Sequence, residues 1–196
     1  MAITVVRTYQ FTGSGSNSID LSGGVTCVLV LVATTTFSAA TLGGVNLTLS
    51  LSNRCAFIAA TASGTLAMTL GSSQPYFVIC YSGANTLYNA YWENEYTNSH
   101  TWGGYTLTPT IVDGRMACIN FFADTYITNQ AGWTTQHYYS SGDGRITWEM
   151  RTRDAVEDNT SEDYSFYNGG ANDRNMSHII AEVTQVISFI PQIIIS

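Results

Sequence analysis

Lysine is missing altogether: all seven basic residues of this 196-residue chain are arginine. Charge of either sign is scarce, at 11% of residues, where soluble domains carry about 25%. Sheet proteins commonly guard exposed edges with charge, lysine above all. A chain that forgoes this device must have its edges covered internally or by another subunit. The second is the expectation here, and it implies a homo-oligomer. The formal net charge of −7 argues against direct binding to nucleic acid, which needs clustered cations, and against docking on anionic lipid.

Other absences narrow the field further. No apolar run approaches the ~20 residues that cross a bilayer. The longest, Cys27 to Ala33, is far shorter. The start, M-A-I-T-V-V-R-T-Y-Q, lacks the basic head and long apolar stretch of a secretory leader, so synthesis in the cytoplasm without membrane insertion is expected. The four cysteines, Cys27, Cys55, Cys80 and Cys118, form no C-x-x-C pair, and each lies in an apolar run. They read as buried free thiols behaving as small hydrophobes, with one or two disulfides as the alternative. His100, His137 and His178 have no metal-ligand spacing to one another or to a cysteine. There is no G-x-S-x-G elbow to support a serine nucleophile. No stretch shows a helical period of 3.6.

What is present is a period of two. Residues 45–52, V-N-L-T-L-S-L-S, alternate throughout, which predicts one strand with Val45, Leu47, Leu49 and Leu51 on one face. Residues 145–153, R-I-T-W-E-M-R-T-R, predict Ile146, Trp148 and Met150 facing in. On that reading Arg145, Glu149, Arg151 and Arg153 face out as compensating surface charge. The runs 27–33 and 76–81, and 116–123 but for Asn120, are apolar throughout and read as central strands covered on both sides. Further strands are expected at 4–11, 56–62, 65–70, 87–92, 105–111, 134–139 and 178–187. Turn-formers fall between them at short intervals: 13–18, 22–24, 42–44, 71–75, 113–114 and 142–144. Many short strands at this spacing indicate an all-β protein, an antiparallel β-sandwich of jelly-roll or immunoglobulin-like type. One domain is expected over residues 1–187, with residues 155–175 as a long acidic loop or arm. The apolar tail 188–196, carrying Phe189, Ile193, Ile194 and Ile195, is expected to dock on a partner.

A phrase recurs. T-L-G-G-V-N-L-T at 41–48 returns as T-W-G-G-Y-T-L-T at 101–108, and R-C-A-F-I at 54–58 returns as R-M-A-C-I at 115–119. Neither Gly-Gly opens a helix or has the lysine a phosphate loop requires, so both read as corners of two similar units within one sandwich.

Chemistry has few candidates. Glu93 and Glu95 in W-E-N-E-Y lie two apart on one strand, about 6–7 Å apart if extended, a separation at which paired carboxylates can hydrolyse a glycoside. The alternative is two solvated acids near a strand end. Around them Tyr88, Tyr91, Trp92, Tyr96, Trp102 and Tyr105 form an aromatic cluster that fits core filling, a subunit interface or glycan stacking. Glu157, Asp158, Glu162, Asp163 and Asp173 gather oxygens of the kind calcium favours, but their spacing fits no EF-hand or glycine-rich calcium repeat. No metal and no cofactor is expected.

T-L-G-G-V-N-L-T, then A-F-I-A-A-T-A-S-G-T-L-A-M-T-L (56–70) and Y-F-V-I-C-Y-S-G-A (76–84), resemble a class of β-sandwich structural proteins encoded by tailed bacteriophages and bacteria. D-G-R-M-A-C-I-N-F-F-A (113–123) and A-G-W-T-T (131–135) fit the later half of that class. The resemblance implies a non-enzymatic virion part: a capsid decoration (cement) protein, a head fibre or a tail appendage. Its partners would be the major capsid protein or other virion subunits. It carries over no catalytic residue, because the shared positions are turns and core. Under this reading Tyr91, Trp92, Tyr96, Trp102, Tyr105 and the tail residues form the partner interface. A tail-fibre or adhesin module binding glycan is the alternative, and a glycoside hydrolase using Glu93 and Glu95 the third.

Overall fold

A computed structural model describes residues 2–32, 34–59, 64–97, 104–107, 116–123, 133–140, 147–153, 164–167 and 174–185. The strands of the first half are β1 (Thr4–Thr12), β2 (Gly15–Ser18), β3 (Cys27–Leu31), β4 (Phe37–Leu42), β5 (Val45–Asn46), β6 (Thr48–Ser50), β7 (Cys55–Ala59), β8 (Thr65–Leu70) and β9 (Pro75–Ser82). Those of the second half are β10 (Thr86–Thr97), β11 (Gly104–Leu107), β12 (Met116–Ala123), β13 (Thr134–Ser140), β14 (Thr147–Arg153), β15 (Tyr164–Tyr167) and β16 (Arg174–Thr184). Every pairing is antiparallel.

The strands form an antiparallel β-sandwich with a shared middle layer. The middle sheet runs β1-β9-β3-β7-β6, the outer sheet β2-β8-β4-β5, the third sheet β10-β16-β12-β14-β13, and β11 pairs with β15 alone. In β3, C-V-L-V-L, and in β9, P-Y-F-V-I-C-Y-S, no polar residue interrupts the apolar run, so both faces need cover. Val28, Val30, Ala56, Tyr76, Val78 and Cys80 pack on Phe37, Ala40, Leu42, Leu66, Met68 and Leu70 of the outer sheet. From the opposite face Cys27, Leu29, Leu31, Phe57, Phe77, Ile79 and Tyr81 pack on Trp148, Met150, Ile179, Ala181 and Val183 of the third sheet. Of the three runs expected to be covered on both sides, 27–32 and 76–81 are so covered; Ala33 and the side chains of 116–123 lie outside the described residues.

Residues 45–52 are not one strand. Val45 and Asn46 end the outer sheet, and Thr48–Ser50 end the middle one. Leu47, buried between them, donates its N–H to the Ala40 carbonyl at 2.9 Å. Val45 is 53% exposed, while Leu49 and Leu51 pack into different cores. Alternation is equally served by a segment that crosses between layers, because each layer takes its own side of the chain. Leu51, Ser52 and Asn53 then take φ of 53, 51 and 64° and turn the chain into β7.

The Gly43-Gly44 corner is a two-residue hairpin joining β4 to β5, with φ of 57 and 83°, the positive values such a turn demands. Its later counterpart differs: Gly104 is the first residue of β11, opposite Tyr167, and Gly103 lies outside the described residues. Three strands stand where none was expected. G-S-N-S, read as turn, is the edge strand β2. F-S-A-A-T-L (37–42) is β4. Within the acidic segment, Tyr164–Tyr167 is β15.

Cys27, Cys55 and Cys80 are buried and outside any disulfide, as expected; the Cys118 side chain lies outside the described residues. Burial pushes the Cys80 thiol up to about 12, which removes the reactive thiolate at neutral pH. These three cysteines should resist an aromatic disulfide reagent in the native protein and react on denaturation, as peptide mass mapping would show. Rapid native labelling of Cys80 would contradict the burial.

Candidate functional site

The aromatic candidates centre on β10, at one edge of the third sheet. A β-bulge between Leu87 and Asn89 leaves Tyr88 51% exposed. Beyond it Tyr91 and Trp92 point to opposite faces, as adjacent strand residues must. The Tyr91 ring, 44% exposed, stacks on His178 with centroids 6.3 Å apart. Trp92 turns toward the middle sheet. Its indole N–H donates to Ser177 Oγ at 3.0 Å, and the Arg54 guanidinium lies 3.8 Å from its ring centroid, a cation–π contact. Burial lowers the pKa of Arg54. So Trp92 is engaged internally, while Tyr91 stays partly exposed to solvent.

Glu93 and Glu95 stand opposite His178 and Met176 in the β10–β16 register; their side chains lie outside the described residues. The same holds for the side chains of Tyr96 in β10 and Tyr105 in β11. Trp102, Phe189, Ile193, Ile194 and Ile195 lie outside them altogether, as do His100 and the acidic cluster 157–163 with Asp173.

The charges of β14 overturn the expected surface pattern. Trp148 and Met150 face the core as predicted, but Glu149 and Arg151 are also buried, at 4% and 2% exposure. Arg151 Nε donates to Glu149 Oε1 at 2.8 Å and Nη2 to Oε2 at 3.0 Å, a bidentate pair. The Thr135 hydroxyl adds a bond to Oε1 at 2.6 Å. Arg153 is half-buried; Arg145 and Ile146 lie outside the described residues. The expectation failed because alternation shows which residues share a face, and a strand covered on both sides can hold an ion pair on one of them. His178 and Glu182 of β16 are likewise buried. In the β16-β12-β14 register His178 falls in the row of Phe121 and Glu149.

The opposite edge of the third sheet was missed. On β13, Tyr138 is 56% and Tyr139 39% exposed. His137 stacks on Phe77 of β9 at 5.9 Å. Burial lowers its pKa, and a hydrogen bond to the Thr8 backbone opposes the shift. The signal was the H-Y-Y run: at a sheet edge a tyrosine doublet leaves both rings reaching water.

Among the described residues no group of three His, Cys, Asp or Glu could hold a metal ion. A shallow groove of ≈ 400 Å³ on the outer sheet, lined by Ser14, Ser16, Thr41 and Met68 among others, presents no titratable side chain. The chain matches no family model, and it matches neither a curated protein nor a solved structure.

Two outcomes follow from this geometry. Removing one member of a buried ion pair leaves an uncompensated charge, so Arg151→Met should cost about 3–5 kcal/mol in denaturant unfolding. Arg151→Met with Glu149→Leu should recover most of that loss. A loss below about 1 kcal/mol for the single variant would place the pair in high dielectric. Second, the folded pKa of His137 lies below the ordinary 6.5. As pH falls through 6.5 the unfolded chain therefore binds the proton first, and stability drops until the depressed folded pKa is passed. The denaturation midpoint should decline from pH 7 to pH 5, and His137→Phe should flatten the decline; an unchanged slope would exclude His137 as its source.

Proposed function

We propose that this chain is a non-enzymatic structural protein of a virion, one that decorates the phage head and cements it. The observation that carries the reading is the placement of exposed aromatics. Tyr88 and Tyr91 stand on one edge of the third sheet, Tyr138 and Tyr139 on the other. Tyrosine is favoured where protein surfaces meet, because a rigid ring buries area at low entropic cost. Two further features support the reading. The interleaving of β1-β9-β3-β7 with β2-β8-β4-β5 supports a jelly-roll reading, an architecture that recurs in viral shells as well as in lectins. The low charge suits surfaces that end up against capsid subunits.

The partners would be the major capsid protein or other virion subunits, and the site of action the virion. The adhesin reading draws on Tyr91, whose exposed ring could stack on a sugar.

Purified protein added to particles that lack it should bind at regular positions visible by cryo-electron microscopy. Tyr91→Ala combined with Tyr138→Ala should weaken that binding at least about thirtyfold, the loss of one hot-spot residue. Saturable glycan binding abolished by Tyr91→Ala, without particle binding, would establish the adhesin instead. Saccharide turnover lost on Glu93→Gln would overturn both.

A further inference from the structure

We infer that the two halves of this chain are copies of one sandwich unit, packed on each other about an approximate two-fold axis. The partner each unit's main sheet fits is therefore a second copy of itself, here supplied in the same polypeptide. The inference does not depend on the functional reading above.

The first observation is connectivity. In the middle sheet the first strand pairs with the last, the last with β3, β3 with β7, and β7 with the preceding strand β6. In the third sheet the first strand, β10, pairs with the last, β16. That strand pairs with β12, β12 with β14, and β14 with the preceding strand β13. The five-strand order is the same. Between the first two of these strands each half inserts a four-residue strand, β2 or β11, beginning at Gly15 or Gly104. Before the last strand each inserts its antiparallel mate, β8 or β15.

The second is register. Thr4 faces Ser82 as Thr86 faces Thr184, and Val5 faces Tyr81 as Leu87 faces Val183. A bulge then follows in both ladders, before Arg7 and before Asn89, and Tyr9 faces Val78 as Tyr91 faces Ile180. A bulge at one equivalent position is a specific feature, since each marks one extra residue. The ladders deeper in the sheets agree. Leu29 faces Ile79 and Cys118 faces Ala181; Leu31 faces Cys55 and Asn120 faces Met150.

The third is the interface. Equivalent residues meet in one core: Cys55 and Met150, Phe77 and Ile179, Ile79 and Ala181, Tyr81 and Val183. An interface in which both partners use the same patch is isologous, the signature of a two-fold. The edges comply, for β1 lies against β13, while β10 lies toward β7 at the other side.

The spacing of equivalents, from Thr4–Thr86 to Ser82–Thr184, is not that of the Gly-Gly phrases. Those fall on unlike elements, R-C-A-F-I on β7 and R-M-A-C-I on β12. The copies have also diverged: Ala56, Tyr76 and Cys80 of the first unit's apolar interior correspond to Arg151, His178 and Glu182.

A two-fold makes a demand on the chain ends. The exit of the first unit meets the entry of the second across Gly83–Asn85, so the exit of the second must meet the entry of the first. Asn85 N–H bonds to the Thr184 carbonyl at 3.0 Å, and a side chain at Gly83 would run into the Ala2 carbonyl. A circular permutant opened between Gly83 and Ala84, with Ser196 joined to Met1, keeps every residue. It should fold as a β-protein that melts within about 10 °C of the parent. An experimental structure of the parent should superpose residues 4–82 on 86–184, strand for strand, by close to a half-turn. A relation far from a half-turn, or strands that superpose in another order, overturns the inference. So does failure to fold of both the direct permutant and one whose join is lengthened with glycine and serine.

Discussion

The central strands of the middle sheet, β3, β7 and β9, are apolar on both faces, and everything else in the molecule answers to that. Each buried Leu, Ile, Val or Phe there contributes roughly 1.5–3 kcal/mol over its exposed state, so neither face can be left to water. The outer sheet covers one face with strands drawn from between those of the middle sheet. The third sheet, formed wholly from later residues, covers the other. Without lysine to guard the margins, the fold keeps several edge strands short: β2 has four residues, β5 two and β6 three. A short edge offers a stray strand few free hydrogen-bonding groups.

The third sheet is chemically unlike the middle one. It holds a bidentate Glu149–Arg151 pair within its own layer, and its Trp92 receives Arg54 from the turn before β7. Such contacts contribute direction more than net energy, because desolvation offsets much of the attraction. They allow fewer ways for the sheet to slide than an apolar surface would. The exposed tyrosines, carried at its two edges, thus sit on a part of the molecule whose position is well fixed.

The all-β class, the antiparallel pairing and the doubly covered strands were legible because unbroken apolar runs such as C-V-L-V-L have no other use at that length. Residues 65–70 and 116–123 were found at their observed bounds, since turn-formers bracket the first and hydrophobicity fills the second. What was not legible turns on information a local pattern does not hold. V-N-L-T-L-S-L-S alternates whether it stays in one sheet or crosses between two. Glu149 and Arg151 look like solvated charges until a second cover is known. β2 is Gly, Ser and Asn, a strand only because Leu66 and Met68 lie beside it. Of the candidate site, Tyr91 was found and its stacking partner His178 was not, because β16 reaches it from the far end of the chain.

The pairing of β1 with β9 has a consequence for synthesis. The first unit closes once residue 82 has emerged, since its first and last strands are then both available. Its second face, with Leu29, Phe77, Ile79 and Tyr81, has no cover until β16 is complete about a hundred residues later, roughly 5–20 s at ribosomal speeds. For that interval every nascent chain displays a broad apolar sheet shaped to accept another like it. Neighbouring chains on one message would carry the same face. The short connection through Gly83–Asn85, which brings the matching half in at the right place, then acts as a kinetic safeguard: it lets a chain meet its own second half before it meets a stranger's.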